Sequence, residues 1–114
     1  MKSVVIVDDH AAFRRQARRM LVSAGYDVVG EAVDGRSAIA DVGRLNPSLV
    51  LMDVGLPDMT GFQVAELIDP SRVVLTSARD PRSFATQLAA SRALGFLPKD
   101  ELSAAAIEKL ARPG

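Results

Sequence analysis

The sequence predicts an α/β fold, a single domain in which a doubly wound, five-stranded parallel sheet is covered by five helices. Short apolar runs rich in β-branched residues alternate along the 114 residues with longer stretches of helical periodicity. Three of these runs are apolar at nearly every position, which is typical of strands that are covered on both faces. Right-handed crossovers between such strands place helices on both sides of one sheet.

The apolar runs define the strands, and their composition separates the centre of the sheet from its edges. The first, third and fourth runs are the most uniformly apolar and are expected in the centre, whereas the second and fifth are expected at the edges. In chain order, the predicted strands cover residues 3–8, 27–32, 48–53, 72–77 and 95–98.

Periodicity and capping residues predict the first two helices. Apolar residues at helical spacing indicate a helix over 11–24, with Gly25 as its C-cap. Asp34 is expected to cap a second helix that runs to about Leu45, where Asn46 precedes a proline. The predicted outer face of the first helix carries four basic side chains, Arg14, Arg15, Arg18 and Arg19.

Three further helices are predicted in the second half of the chain. A short third helix begins near Gly61 and ends before Pro70. Asp80 is expected to cap a fourth helix that has Pro81 at its first position and continues through the alanine-rich segment AASRAL. Ser103 is expected to cap a fifth helix that ends near residue 111.

Composition excludes several classes of protein. Fourteen basic residues balance fourteen acidic ones, and this zero net charge disfavours direct binding of nucleic acid or of an anionic membrane. Without cysteine there is no disulfide, no Cys-based zinc site and no thiol nucleophile. The N-terminal apolar run stops at Asp8, too early for a signal peptide or a membrane span, so we expect a cytoplasmic protein.

Functional groups follow the predicted strands at their carboxyl ends, where doubly wound sheets bind ligands. Asp8 and Asp9 follow the first strand, Asp53 ends the third, Ser77 ends the fourth and Lys99 follows the fifth. Three carboxylates brought together repel one another unless a cation is present. Carboxylate oxygens in a partly hydrated site suit Mg²⁺.

This arrangement predicts a metal-assisted phosphoryl site. Asp53 is the candidate nucleophile, because a carboxylate can form an acyl phosphate. Lys99 and the cation would neutralise charge on the transferred phosphoryl group, and the Ser77 hydroxyl would donate to one of its oxygens.

The same residues resemble the receiver domain of bacterial two-component response regulators, the CheY-like superfamily. The resemblance covers essentially all of residues 1–114, so we expect one receiver domain and no effector domain within this sequence. The segment KDELS at 99–103 resembles receivers of the LuxR and NarL type, which are usually fused to a helix-turn-helix DNA-binding domain. The matching residues occur in the expected order: Asp8, Asp9, Asp53, Pro57, Gly61, Ser77, Ala78, Phe96 and Lys99.

The resemblance implies a flavodoxin-like sheet of strand order 2-1-3-4-5 and a phosphoacceptor role for Asp53. The phosphoryl donor would be a sensor histidine kinase or a histidine phosphotransfer protein. Mg²⁺ would be bound directly by Asp9, by Asp53 and by the backbone carbonyl of Gly55, and through water by Asp8. Lys99 would pair with a phosphoryl oxygen. Such a domain is a signalling module, with slow dephosphorylation of itself, rather than an enzyme.

The resemblance also implies a switch. Ser77 would move toward the phosphoryl group and Phe96 would turn inward, which would change the surface formed by the fourth helix, fifth strand and fifth helix. That surface would serve a downstream protein target, a DNA-binding domain outside this chain, or a homodimer that forms on phosphorylation.

Several residues have a simpler alternative role. Thr76 offers a hydroxyl beside Ser77, and Phe96 could be ordinary core. His10, the only histidine, follows the acidic pair, but a histidine without partner ligands is more often a cap or surface residue than a metal ligand. The arginine face of the first helix could meet an acidic partner, although a solvated face is the commoner reading of such charge.

Two other functions use a similar sheet. An Asp-nucleophile, Mg²⁺-dependent phosphohydrolase is the main alternative, but such enzymes need a second acidic residue two positions after the nucleophile, where this chain has Gly55. A flavin-binding domain needs a phosphate loop after the first strand, where the two aspartates would repel phosphate in the absence of a metal.

Overall fold

The computed structural model describes residues 2–111, and its strands form one parallel sheet in the order β2-β1-β3-β4-β5. This order and the α/β class confirm the predicted fold. The strands begin or end within one residue of their predicted bounds. They are β1 (Ser3–Val7), β2 (Asp27–Ala32), β3 (Leu49–Asp53), β4 (Val73–Ser77) and β5 (Gly95–Pro98).

Five α-helices connect or follow the strands and cover both faces of the sheet. Residues of α1 and α5 pack on one face with Leu51 and Val74, and residues of α2 and α3 pack on the other with Met52 and Leu75. The helices are α1 (Ala11–Ser23), α2 (Gly35–Leu45), α3 (Gly61–Leu67), α4 (Ala85–Ala90) and α5 (Ala104–Ala111). Short 3₁₀ turns cover Pro70–Arg72, Pro81–Phe84 and Lys99–Glu101.

Centre and edge of the sheet differ as the composition predicts. Every residue of β3 and β4 is buried, whereas every residue of β5 is only partly buried and β2 is mostly partly exposed. Within residues 2–111, no helix is both long and apolar enough to cross a membrane.

Predicted capping residues bound two of the helices. The Asp34 carboxylate accepts from the Ser37 backbone N–H at the start of α2, and Asn46 ends that helix in a left-handed conformation with φ of 47°. Ser103 accepts from the Ala106 N–H at the start of α5. These local bonds satisfy amide groups that the helix itself leaves unpaired.

The fourth helix departs from the prediction. Asp80 does cap a turn by accepting from the Arg82 N–H, but that turn is a 3₁₀ segment, and α4 ends at Ala90 instead of continuing through AASRAL. The extended backbone of Ser91 and the bond from the Ala93 N–H to its hydroxyl end the helix. A serine side chain that bonds the nearby backbone offers the chain an alternative to the helix, and here that alternative prevails.

Candidate functional site

Three aspartates meet at the carboxyl ends of β1 and β3. Asp8 and Asp9 follow β1, and Asp53 is the last residue of β3, the neighbouring strand. Asp8 is completely buried and Asp53 is only 5% exposed, whereas Asp9 lies at the surface. Ligand atoms of these three residues and of His10 all lie within 4.8 Å of one another. The structure therefore brings together the acidic residues that the sequence singled out.

Lys99 is the cation of this cluster. Its Nζ lies 2.7 Å from Asp8 Oδ2 and 3.8 Å from Asp53 Oδ2. The ammonium also lies 4.2 Å from the centre of the Phe13 ring on α1, in cation–π geometry. Its side chain is only 16% exposed, so the charge is directed into the cluster rather than toward solvent.

One lysine does not offset the charge of the three carboxylates. Burial raises the pKa of Asp53 above its usual value, and the neighbouring Asp8 raises it further. Lys99 and the backbone N–H of Gly55 act in the opposite direction, and the net shift is still upward. Excess negative charge among oxygen donors is the environment in which a divalent cation binds. The residues present therefore fit a Mg²⁺ ion.

The loop after β3 is tied to the start of α2. The Asp58 carboxylate accepts from the backbone N–H groups of Gly35 at 2.7 Å and Arg36 at 3.0 Å. At the end of this loop, Thr60 and Gln63 form a capping box at the start of α3. These bonds hold the segment that contains Gly55, whose backbone oxygen is a predicted metal ligand. The sequence reasoning missed Asp58, because its partners are distant in the chain.

The loop after β1 is held by Arg14, which the sequence placed on the solvent face of α1. That placement is wrong for Arg14. Its guanidinium donates to the backbone oxygen of Asp8 at 2.7 Å and pairs with Glu31 at 3.1 Å. Arg18 pairs with the other oxygen of Glu31 at 2.8 Å. No local pattern indicates this network, because Glu31 comes from the edge strand β2.

Two hydroxyls lie at the end of β4. Ser77 is buried, and its Oγ accepts from the Arg79 N–H at 3.0 Å, which leaves the hydroxyl proton available to a further acceptor. Thr76 pairs in register with Asp53, and its Oγ1 is buried without a hydrogen-bond partner among residues 2–111. Both hydroxyls therefore remain candidates for contact with a ligand at Asp53.

Phe96 belongs to a chain of three aromatic rings. Its ring packs edge to face against Phe84 at 5.5 Å, and Phe84 packs in the same way against Phe62 of α3 at 5.8 Å. Phe96 is only partly buried and lines a cavity of about 110 Å³ between β4, β5 and the end of α4. This cavity offers space next to the ring for a change of rotamer.

The chain is similar to known proteins over nearly its whole length. The family described as Response regulator receiver domain matches residues 4–111. The chain belongs to this family. It is 33% identical to the chemotaxis protein CheY of Thermotoga maritima over 113 residues. The aligned residues cover 96% of this chain and 94% of CheY. The solved signal receiver domain of NarL from Mycobacterium tuberculosis has a TM-score of 0.85 and 36% identity, with 98% of each chain covered.

Other relatives of this receiver domain are longer proteins. The transcriptional regulatory protein DegU of Brevibacillus brevis is 33% identical to this chain over 110 residues. The aligned residues cover 92% of this chain but only 47% of DegU. The chain thus spans about half the length of the regulators of this kind that it matches. Receiver domains are signalling modules of two-component systems and not classical enzymes, and response regulators work with sensor kinases.

His10 lies beside the acidic cluster of the receiver. Its Nδ1 is 3.1 Å from Asp8 Oδ1 and 3.2 Å from Asp9 Oδ1, and its backbone N–H donates to Asp8 Oδ1 at 2.8 Å. His10 holds the N-cap position of α1, yet its side chain makes no capping bond. The imidazole is 69% exposed. It is directed toward the carboxylates rather than toward the free amide groups of the helix.

Proposed function

We propose that this receiver accepts a phosphoryl group on Asp53 from a phosphohistidine. A carboxylate oxygen of Asp53 attacks phosphorus and forms an acyl phosphate as the P–N bond breaks, and the bonding electrons remain on the histidine nitrogen, which takes up a proton. The observation that supports this proposal best is the position of Asp53. It is buried at the end of β3, among two further carboxylates, with the Lys99 ammonium 3.8 Å away.

The neighbouring residues suit this transfer. Lys99 is within reach of Asp53, and a shift of its flexible side chain away from Asp8 would bring its charge to a phosphoryl oxygen. The Ser77 hydroxyl proton is free to be donated to another phosphoryl oxygen. Lys99 and Ser77 therefore supply two of the contacts that phosphorylation would create.

A Mg²⁺ ion would be held by Asp9, Asp53 and the backbone oxygen of Gly55, with Asp8 acting through water. When bound, this ion neutralises the charge of the phosphoryl group. The carboxylates of the chain would position the ion, and the hydrogen bonds that Asp58 accepts from the start of α2 keep the Gly55 loop in place. Arg14 does the same for the loop of Asp8 and Asp9.

The signal would leave through the surface of α4, β5 and α5. Ser77 and Phe96 would connect this surface to Asp53, because Ser77 ends β4 and Phe96 lies on the neighbouring strand β5, in register with Leu75 two residues before Ser77. A sensor histidine kinase or a histidine phosphotransfer protein is the proposed donor. The proposed recipient is a downstream protein or a DNA-binding domain outside this chain, in line with relatives such as DegU, and phosphorylation can also favour a homodimer.

Labelling with acetyl phosphate tests the phosphoacceptor. With Mg²⁺, mass spectrometry should detect one added phosphoryl group on the wild type and none on Asp53→Asn. The label should be released by hydroxylamine, which cleaves acyl phosphates. Asp27→Asn is the matched control, because Asp27 is an exposed aspartate on β2, and this variant should be labelled like the wild type.

Labelling of Asp53→Asn to the wild-type extent would remove Asp53 from this role. Rapid, repeated hydrolysis of small phosphate esters would instead favour the phosphohydrolase alternative. The structure gives that alternative no support, since Gly55 stands where such an enzyme has its general acid, and the chain belongs to a family of signalling modules.

A further inference from the structure

The imidazole of His10 adds a nitrogen donor to the carboxylate cluster. His10 is the single histidine of the chain, and its Nδ1 lies at similar distances from Asp8 and Asp9, 3.1 and 3.2 Å from the nearest oxygen of each. The backbone bond from His10 to Asp8 Oδ1 fixes the residue at the rim of the cluster. The residue that begins α1 therefore presents a nitrogen to the site instead of capping the helix.

The distances suit ligands of a shared ion. Two neighbouring ligands of an octahedral ion with bonds of about 2.1 Å lie about 3 Å apart. Nδ1 and Asp8 Oδ1, 3.1 Å apart, form a hydrogen bond in the structure, and Nδ1 lies 3.2 Å from Asp9 Oδ1. Both separations are close to this value, and a bound ion would take the place of the proton on Nδ1. The cluster of four donors within 4.8 Å also includes Asp53, so the nitrogen belongs to the same group as the predicted metal ligands.

We propose that His10 Nδ1 is a direct ligand when the site of this receiver holds a nitrogen-preferring divalent ion such as Zn²⁺, and that the site therefore binds such ions in addition to Mg²⁺. Imidazole is a favoured ligand of Zn²⁺ and other late first-row ions, whereas Mg²⁺ takes oxygen ligands almost exclusively. The inference rests on the cation site of the proposed function and extends it, because it states which ions the site accepts. Loss of His10 selectively weakens the binding of the ions that use nitrogen.

Access and surroundings are compatible with this role. The imidazole is 69% exposed, so an ion with its waters can approach Nδ1 from solvent. Among residues 2–111, Lys99 is the only lysine or arginine whose side chain contacts the buried carboxylates. It approaches Asp8 through Oδ2, whereas His10 approaches through Oδ1. The ion that His10 helps to bind therefore does not have to displace Lys99 from Asp8.

Calorimetric titration of the unphosphorylated chain with ZnCl₂ and with MgCl₂ tests the proposal. His10→Gln should bind Zn²⁺ at least about ten-fold more weakly than the wild type, while its Mg²⁺ affinity should change by less than about two-fold. The matched control combines His10→Gln with Val22→His. It restores one histidine to an exposed position at the far end of α1, and it should not recover Zn²⁺ affinity.

The single histidine also allows a direct spectroscopic test. In ¹⁵N spectra of the imidazole, Zn²⁺ should shift the Nδ1 resonance of His10. Mg²⁺ should leave this resonance within about 2 ppm of its position in the free protein, a change that is small compared with the shift caused by a metal–nitrogen bond. Equal losses of Zn²⁺ and Mg²⁺ affinity in His10→Gln, or an Nδ1 resonance that Zn²⁺ does not move, would overturn the role of His10. Asp9→Asn should lose both ions, and its retention of Mg²⁺ affinity would count against the cation site itself.

Discussion

The two sides of the site differ in how firmly they are held. We call β1, β3 and the loops that follow them the acceptor side, and β5 together with α4 the output side. All of β3 is buried, whereas all of β5 is only partly buried and α4 buries none of its residues. The three aspartates of the cluster belong to the acceptor side, whereas Lys99 follows β5 and Phe96 lies on it.

Long-range hydrogen bonds add to this difference. On the acceptor side, Asp58 and Arg14 bond backbone groups of other segments, at the start of α2 and at Asp8. Near the output side, the side chains of Ser77, Asp80 and Ser91 each accept from the backbone N–H two residues on. The Ser83 hydroxyl donates to the backbone oxygen of Asp80, three residues back. Bonds between distant segments resist relative motion, whereas local bonds can move with their own loop. We therefore expect Asp53 to be held more rigidly than α4 and β5, whose rearrangement should cost less free energy.

Glycine substitutions should show the largest difference between the two sides. A Cβ on Gly61 would overlap the backbone oxygen of Asp53, whereas the nearest atoms to a Cβ on Gly95 belong to the end of the Leu110 side chain. Backbone cannot yield as a flexible side chain can, so Gly61→Ala should lower the free energy of unfolding by about 3 kcal/mol and Gly95→Ala by roughly 1 kcal/mol or less. Urea denaturation measures both.

Gly43→Ala is the control, because it changes the backbone freedom of a glycine without adding a steric contact. A Cβ on Gly43 meets no atom within 4 Å, and the residue is inside α2. Gly43→Ala should therefore stabilise the protein by roughly 0.5–1 kcal/mol, the usual difference between Gly and Ala in a helix. Similar losses for Gly61→Ala and Gly95→Ala would contradict the contrast between the two sides.

The ionised Asp53 carboxylate on the acceptor side should destabilise the folded protein. Because its pKa is raised in the folded protein, stability falls as pH rises from the usual Asp pKa through the raised value, and the penalty is complete above it. At pH 7 without divalent cations, Asp53→Asn should be more stable than the wild type by about 1 kcal/mol, or roughly 4 °C in Tm. Added Mg²⁺ should narrow this gap by stabilising the wild type.

Asp58 provides a control of opposite sign. The backbone N–H of Gly35 lowers its pKa, so its stabilising effect is present above the usual Asp pKa and is lost as pH falls through the lowered value. Asp58→Asn should therefore destabilise the protein at pH 7. Thermal unfolding at pH 7 and at low pH measures both variants, and a loss of stability in Asp53→Asn at pH 7 would show that the carboxylates do not repel one another as described.

The hydroxyls of β4 should affect signalling more than stability. Ser77→Ala removes a bond that is local to its loop, so we expect a stability change within about 1 kcal/mol. The variant should still be phosphorylated, but it should lose the phosphorylation-dependent change in amide chemical shifts around Phe96. Thr76→Val is the matched variant. If it loses this response while Ser77→Ala keeps it, the switching role passes to Thr76.

Local sequence determined the strands, most helix ends and the order of the acidic residues. Asp34, Asn46 and Ser103 act within a few residues of their own positions, so their effects could be predicted. The placement of Asp8 and Asp53 at one edge followed from parallel strands, because all their carboxyl ends lie on the same side of the sheet. AASRAL was the exception, since a serine bond to the local backbone outweighed the helical preference of its alanines.

Only the tertiary structure decided which side chains complete the site. Arg14 turns from the helix surface to Asp8 because Glu31 lies on the adjacent strand, and Asp58 reaches the start of α2 because the loop after β3 passes beside it. His10 follows the acidic pair in the sequence, but the direction of its imidazole, toward two carboxylates, was not determined there. Such contacts join residues that are distant in the chain or depend on side-chain direction, and both are set by packing rather than by local preference.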